Sequence, residues 1–258
     1  MPRATDANWT PLAGLGRGSW LVRRAEGPEL VVRQASEAEE QAARAAADVA
    51  VGPVVVAGAE CWIATEYLPG GHVTPLELSR PDRLDELAGL LRRLHSCDLL
   101  LPLSTLADSR DAYVSAIGAE QLPDGLRGAA READRIEESL DSESSLCVPA
   151  HLDVVANLLA TPVGLRLIDF EYAAGADPAR ELGQVIWEAE LAREGAQRLV
   201  GAYGTDVGVT EGRAVAWAWV TGVTWTAWAL TFDDNLVMIR YGRRSWERLR
   251  DYWGRPSV

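Results

Sequence analysis

The spacing of apolar residues changes character about seventy residues into the chain. Before that point apolar positions come in short runs between turn-formers; after it they recur mostly at helical intervals. Residues 14–25 ("GLGRGSWLVRRA") are glycine-rich and lead into a strand, and residues 29–35 ("ELVVRQA") form a second strand-like run. Residues 36–51 ("SEAEEQAARAAADVAV") predict a helix, with Ser36 as N-cap and early acids suited to the helix dipole. "GPVVVAG" and "CWIATEYLPGG" predict two more strands, closed by Pro69, Gly70 and Gly71. That turn is the expected boundary between a β-rich unit over residues 1–70 and a helical one over residues 71–258.

In the second unit, Leu84, Leu87, Leu91 and Leu94 repeat at helical spacing after Pro81. "LRGAAREADRIEESL" predicts another helix, and residues 177–204 predict one long helix after Pro178. Residues 210–232 and 235–253 complete two terminal helices. Two stretches interrupt the helical pattern. "CVPAHLDVVANLLAT" (residues 147–161) puts His151, Asp153 and Asn157 on a bend between two apolar, β-like runs, where a hairpin needs only a turn. "LRLIDFEY" places Asp169 and Glu171 directly after a strand. The pattern as a whole is α+β.

Composition narrows the function classes. A chain of 258 residues, 48% hydrophobic, suits one large domain or two lobes. No apolar run approaches the roughly 18 residues of a membrane span, and "MPRATDANWTPLAG" lacks the apolar stretch of a secretion signal. Cys61, Cys97 and Cys147 are scattered and odd in number, which reads as reduced thiols in a cytoplasmic protein. A net charge of −13 argues against nucleic acid and is compatible with a cationic ligand. All 25 basic residues are Arg.

Asp153, Asn157 and Asp169 form a chemically complete set. Mg²⁺ prefers carboxylate, amide and phosphate oxygens, and a further carboxylate can take the proton of an attacking hydroxyl. One Asp as base, with an Asn and an Asp on the metal, serves phosphoryl transfer. The 10 Trp against 2 Phe are a second signal. Trp217, Trp219, Trp225 and Trp228 fall on one helix, where they serve the core or form an aromatic wall for a cation. His95 reads as a structural histidine and His151 as one that orients the bend.

On these residues the chain resembles the aminoglycoside phosphotransferase and choline kinase family, relatives of the protein kinases with a small N-lobe and a helical C-lobe. "HLDVVANLL" resembles the catalytic loop, "LIDFEYAAGADPARELG" the metal-binding strand, "IATEYLPGG" the hinge, "LAGLLRRLHS" the helix beyond it, and the Trp-rich tail the choline kinase branch. The resemblance implies Asp153 as base and Asn157 and Asp169 as Mg²⁺ ligands. It implies a loop over the phosphates of ATP from Gly14 to Trp20, including Gly16, Gly18 and Ser19. Glu66, Tyr67 and Leu68 would meet adenine, and Glu40 would pair with the phosphate-binding Arg33, with Glu37 and Glu39 as competitors. Glu171, Trp225 and Trp228 are the candidate acceptor residues.

Four departures stand out. Only Val154, Val155 and Ala156 separate Asp153 from Asn157, where the family usually has four residues. Arg33 stands where Lys is usual, and Arg binds phosphate bidentately in a different shape. "GLGRGSW" resembles the family's own phosphate loop more than GxGxxG. Glu181 replaces an Asp near the following helix. The implied activity is ATP- and Mg²⁺-dependent phosphorylation of a small cationic acceptor, with no protein partner implied. A basic antibiotic (an aminoglycoside or a cationic cyclic peptide) stands first, ahead of a metabolite such as choline, ethanolamine or thiamine. A pseudokinase that binds without transfer, and a metal-dependent phosphohydrolase, are the alternatives from other classes.

Overall fold

The computed structural model describes residues 7–12, 18–143, 146–204 and 208–253. Strands β1 (Ala7–Leu12), β2 (Ser19–Arg24), β3 (Leu30–Gln34), β4 (Val55–Ala59) and β5 (Trp62–Glu66) form an antiparallel sheet in the order β1-β2-β3-β5-β4. Helix α1 (Glu37–Asp48) links β3 to β4, and the Ser36 hydroxyl caps it by accepting from the Glu39 N–H at 3.2 Å. Its Ala42, Ala43 and Ala46 bury against the core that also holds Ile63 of β5. β1 is an addition to the expected strands. It is an edge strand, where Pro11 removes no interior ladder bond.

The chain continues through β6 (Gly71–His72), α2 (Pro75–Leu78), α3 (Pro81–His95), α4 (Ala107–Ala116) and α5 (Leu126–Glu143). Next come β7 (Val148–Ala150), β8 (Leu158–Thr161), β9 (Gly164–Leu167) and β10 (Ala174–Ala176). Helices α6 (Pro178–Glu188), α7 (Arg193–Tyr203), α8 (Glu211–Leu230) and α9 (Leu236–Arg248) complete the fold, followed by a π-helical turn over Leu249–Trp253. This is a small β-rich N-lobe on a larger helical C-lobe. None of its described helices is long and apolar enough to cross a membrane.

Residues 147–161 are not a hairpin. β7 pairs with β10, whereas β8 pairs with β6 and β9, so the intervening bend crosses from one small sheet to another. The long helix expected over residues 177–204 is also broken. Glu190 adopts φ 52°, and the Leu191 N–H reaches back to the Ile186 carbonyl at 3.0 Å, the left-handed stop that usually carries glycine.

Helix α8 is buried almost all round, which explains its lack of a polar face. Two glycines let it approach α6. A Cβ on Gly183 would lie 2.6 Å from Trp217 Cβ, and one on Gly222 would lie 2.7 Å from the Trp187 ring. Fully buried Arg110 of α4 then ties α8 to α5, donating to Thr224 Oγ1 at 3.0 Å, Asp134 Oδ1 at 2.9 Å and Glu137 Oε2 at 2.7 Å. Gly222→Ala overpacks this seam, at a cost of about 1–3 kcal/mol. Thermal melting should show a drop of about 2–12 °C; an unchanged midpoint would mean that the two helices are free to move apart.

Candidate active site

The bend after β7 is held from below by one face of α6. Glu181, with no exposed surface, accepts from the His151 N–H at 2.5 Å and the Leu152 N–H at 2.8 Å. Its other oxygen takes the His95 Nε2–H at 2.5 Å, and His95 Nδ1 meets the Tyr203 hydroxyl at 2.8 Å. One helical turn on, Gln184 donates to the Leu152 carbonyl at 2.6 Å. Leu152 sits at φ 60°, a left-handed conformation that costs a non-glycine residue about 1–2 kcal/mol. The α6 contacts on both of its peptide groups hold it there.

His151 completes the clamp. Its Nε2–H donates to the Ile168 carbonyl at 2.9 Å, which leaves Nδ1 to accept from the Asp153 N–H at 3.2 Å. The ring packs on Phe170 with centroids 4.7 Å apart. Asp153 therefore leaves the bend with its backbone fixed and its carboxylate only partly covered. Burial pushes its pKa up; His151 and the Asn157 amide oppose the shift, and the Asp169 charge adds to it. A base with a raised pKa is better matched to proton transfer near neutrality.

The shortened loop closes on itself. Asn157 Nδ2 donates to Asp153 O at 2.9 Å and to Asp153 Oδ2 at 2.7 Å. With the amide nitrogen engaged there, Oδ1 is the atom left for a cation. The Ile168 N–H donates to the Asn157 carbonyl at 3.1 Å, which draws Asp169 beside the loop. Asp169 also stands in the left-handed region, at φ 61°. Its Oδ1 is buried without a hydrogen-bond partner, although Arg33 Nη1 forms an ion pair with it at 3.3 Å. Among the described residues, no three His, Cys, Asp or Glu side chains gather into a metal cluster. One carboxylate and one amide oxygen fit Mg²⁺ that takes its other ligands from phosphates and water.

Arg33 lies on β3, opposite Ser19 of β2 in the sheet register. Gly18 is just before that strand, and Gly16 lies outside the described residues. The partner of Arg33 is Glu39, not the expected Glu40: the two form an ion pair in which Glu39 is 2% exposed. Once Ser36 sets the phase of α1, Glu39 faces β3. Glu40 turns one position away, packs over Gly58 of β4 and pairs with Arg44 at 2.7 Å. At the expected hinge, the Glu66 and Tyr67 N–H groups are taken by the Val54 and Glu29 carbonyls at 2.9 and 2.8 Å. Leu68 follows directly.

The four clustered tryptophans divide. Trp217 and Trp219 are core residues, at 0% and 5% exposure. Trp225 and Trp228 are partly exposed, with edge-to-face rings 5.6 Å apart, and Trp228 continues to Phe232 at 5.2 Å. Glu171 is exposed, two residues beyond Asp169.

Sequence reasoning missed Glu188, at the end of α6. Its carboxylate accepts from Gln184 Nε2 at 2.8 Å and faces the Val155 N–H of the catalytic bend. The Trp225 indole N–H faces it too loosely to complete a hydrogen bond. Burial, then the charge of Asp153, pushes its pKa up to about 8 against the pull of these donors. Tyr241 of α9 feels the same carboxylate. A signal was available: Glu181, Gln184 and Glu188 recur at helical spacing in a helix otherwise apolar but for Arg180, a polar stripe with no solvent to face.

Comparison with known proteins identifies the family. Residues 10–219 match the family described as the phosphotransferase enzyme family. The thiamine kinase of Shigella boydii serotype 4 is 30% identical over 254 residues, covering 93% of this chain and 86% of that protein. A choline/ethanolamine kinase family protein from Mesorhizobium loti superposes with a TM-score of 0.75 at 25% identity, covering 94% of this chain and 87% of that one. A thermostable mutant of aminoglycoside phosphotransferase APH(4)-Ia gives a TM-score of 0.64 at 14% identity, with 96% and 95% covered, a likeness of fold. The chain belongs to the phosphotransferase enzyme family and is a small-molecule phosphotransferase.

Proposed function

We propose that this enzyme uses ATP and Mg²⁺ to phosphorylate the primary hydroxyl of a compact organic cation, with thiamine the first candidate and choline the second. The observation that carries this is the meeting of Asp153, Glu188 and the Trp225–Trp228 pair at one end of α6 and α8. A half-buried carboxylate facing the Trp225 indole N–H, with Trp228 packed edge-to-face on that ring, suits a single quaternary or aromatic cation, by charge and by cation–π attraction. Both acceptors carry a hydroxyethyl arm on such a cation, and a sequence relative 30% identical to this chain is by its name a thiamine kinase. An aminoglycoside or cationic peptide carries several ammonium groups, and its support is a set of fold neighbours at 14–20% identity.

In this reading the acceptor oxygen attacks the γ-phosphorus, its proton passes to Asp153, and the bond to the β–γ bridging oxygen breaks to release ADP. Asp169 and Asn157 would hold Mg²⁺, which neutralises phosphate charge when bound. Arg33, oriented by Glu39, and the loop through Gly16, Gly18 and Ser19 hold the phosphates. The stretch Glu66–Leu68 receives adenine, Glu171 lies at the acceptor rim, and Glu40 is left with a structural role. Three cysteines without a disulfide, Cys61, Cys97 and Cys147, suit a reducing, ATP-rich cytoplasm.

The pH dependence tests the cation site. A permanent cation is held by the ionised form of Glu188. A carboxyl raised from 4.5 to about 8 is mostly protonated at pH 6 and ionises as pH rises through 8. The KM for thiamine or choline should therefore fall about 10- to 100-fold between pH 6 and pH 9, and Glu188→Gln should flatten that dependence and raise KM throughout. A KM that is constant or rises over this range would remove Glu188 from the acceptor site.

A further inference from the structure

Gln184 is 4% exposed, and its single amide nitrogen makes two contacts on opposite sides of the site. One is to the Leu152 carbonyl at 2.6 Å, the peptide group that leads directly into the base Asp153. The other is to Glu188 Oε1 at 2.8 Å, on the acceptor side. The Leu152 carbonyl is an acceptor only, so it fixes the amide orientation, with the second N–H turned to Glu188 Oε1. Glu181 holds the N–H side of Leu152, and Gln184 alone among the described contacts holds its carbonyl. Leu152 is at φ 60°, so this peptide plane is the one that would rotate if the contact were lost. Glu188 lies on α6 itself, one turn from Gln184, so the helix already fixes its position. The base thus depends on Gln184 more than the anchor does.

We propose that Gln184 is a positioning residue that fixes the offset between Asp153 and Glu188, and so sets the length of spacer accepted between the reacting hydroxyl and the cation. This rests on the cationic-acceptor reading above. An amide suits the task because it donates twice, carries no charge to disturb either carboxylate, and is rigid between its two N–H groups. A hydroxyethyl cation bridges the two points at one separation. One more methylene moves the hydroxyl off the base by over an ångström, a displacement of the kind that costs about 10²-fold in rate.

The test compares choline with its 3-hydroxypropyl homologue as acceptors for wild type, Gln184→Met, which keeps length and loses both donors, and Gln184→Asn, which is one methylene shorter and reaches one partner. Wild type should prefer the hydroxyethyl acceptor by about 10- to 200-fold in kcat/KM. Gln184→Met should lose about 10- to 100-fold in kcat with a smaller change in KM, and its preference should fall at least about fivefold, with Gln184→Asn between. Melting curves are taken in parallel, and if Gln184→Met does not fold, the same ratio is read from Gln184→Asn. A folded variant whose acceptor ratio equals that of wild type overturns the role of Gln184 while leaving the function intact. A wild type that phosphorylates neither acceptor, nor thiamine, overturns the cationic-acceptor reading and this inference with it.

Discussion

Replacing Asp153 by asparagine lowers kcat by about 10²- to 10⁴-fold and leaves the fold intact. The magnitude is that of a positioned general base, and steady-state assays with the accepted substrate read it directly. The backbone of Asp153 is fixed by His151 and Asn157, so the amide replacement occupies the same place. Stability should move the other way from activity. The folded pKa of Asp153 is raised above its ordinary 3.8, chiefly by burial, so the folded state binds that proton more tightly than the unfolded chain. Its stabilising contribution is present below 3.8 and lost as pH rises through the folded value. At neutral pH the asparagine variant should therefore melt at or above the wild-type temperature. A variant that loses activity only because it melts early would contradict the assignment of Asp153 as base.

Glu181→Ala produces the largest loss of stability. It leaves two buried N–H groups, those of His151 and Leu152, and the His95 ring without their acceptor. Leaving three buried donors unpaired costs at least about 3 kcal/mol in all, a melting temperature lower by at least about 6 °C in a chain of this size. Burial pushes the Glu181 carboxyl up, but His95, the Leu152 N–H and His151 outweigh it and hold the pKa below 4.5. Its contribution is thus present above pH 4.5 and is lost as pH falls through the lower folded value. Scanning calorimetry at pH 7 and pH 4 checks both points; a midpoint within about 2 °C of wild type at pH 7 would show that the bend is supported elsewhere.

Much of this was legible in the chain because it depends on local chemistry. Ser36 caps α1 as the residue type predicts, and the polar bend with Asp153 and Asn157 lies beside Asp169 as their order suggests. The parts that were not legible depend on pairing across distance. Nothing local shows that β7 and β8 join different sheets. The choice between Glu39 and Glu40 turns on the phase of α1, which one cap residue shifts by 100° per position. The break at Glu190 uses a left-handed residue that is not glycine. Glu188 was hidden for a different reason: it follows Trp187 in what reads as plain core helix, and its role appears only when α8, packed through Gly222 on Trp187, brings Trp225 beside it.

The most direct measurement is a competition. Wild-type enzyme with Mg²⁺ and limiting ATP is given equal thiamine, choline, ethanolamine, an aminoglycoside and a basic cyclic peptide, and mass spectrometry identifies the molecule that gains a phosphoryl group. The account predicts that the phosphoryl group goes to thiamine or choline, and that none is transferred by Asp153→Asn. Phosphate on an antibiotic would reassign the acceptor, inorganic phosphate without any phosphorylated acceptor would make this a hydrolase, and bound but unconsumed ATP would make it a pseudokinase.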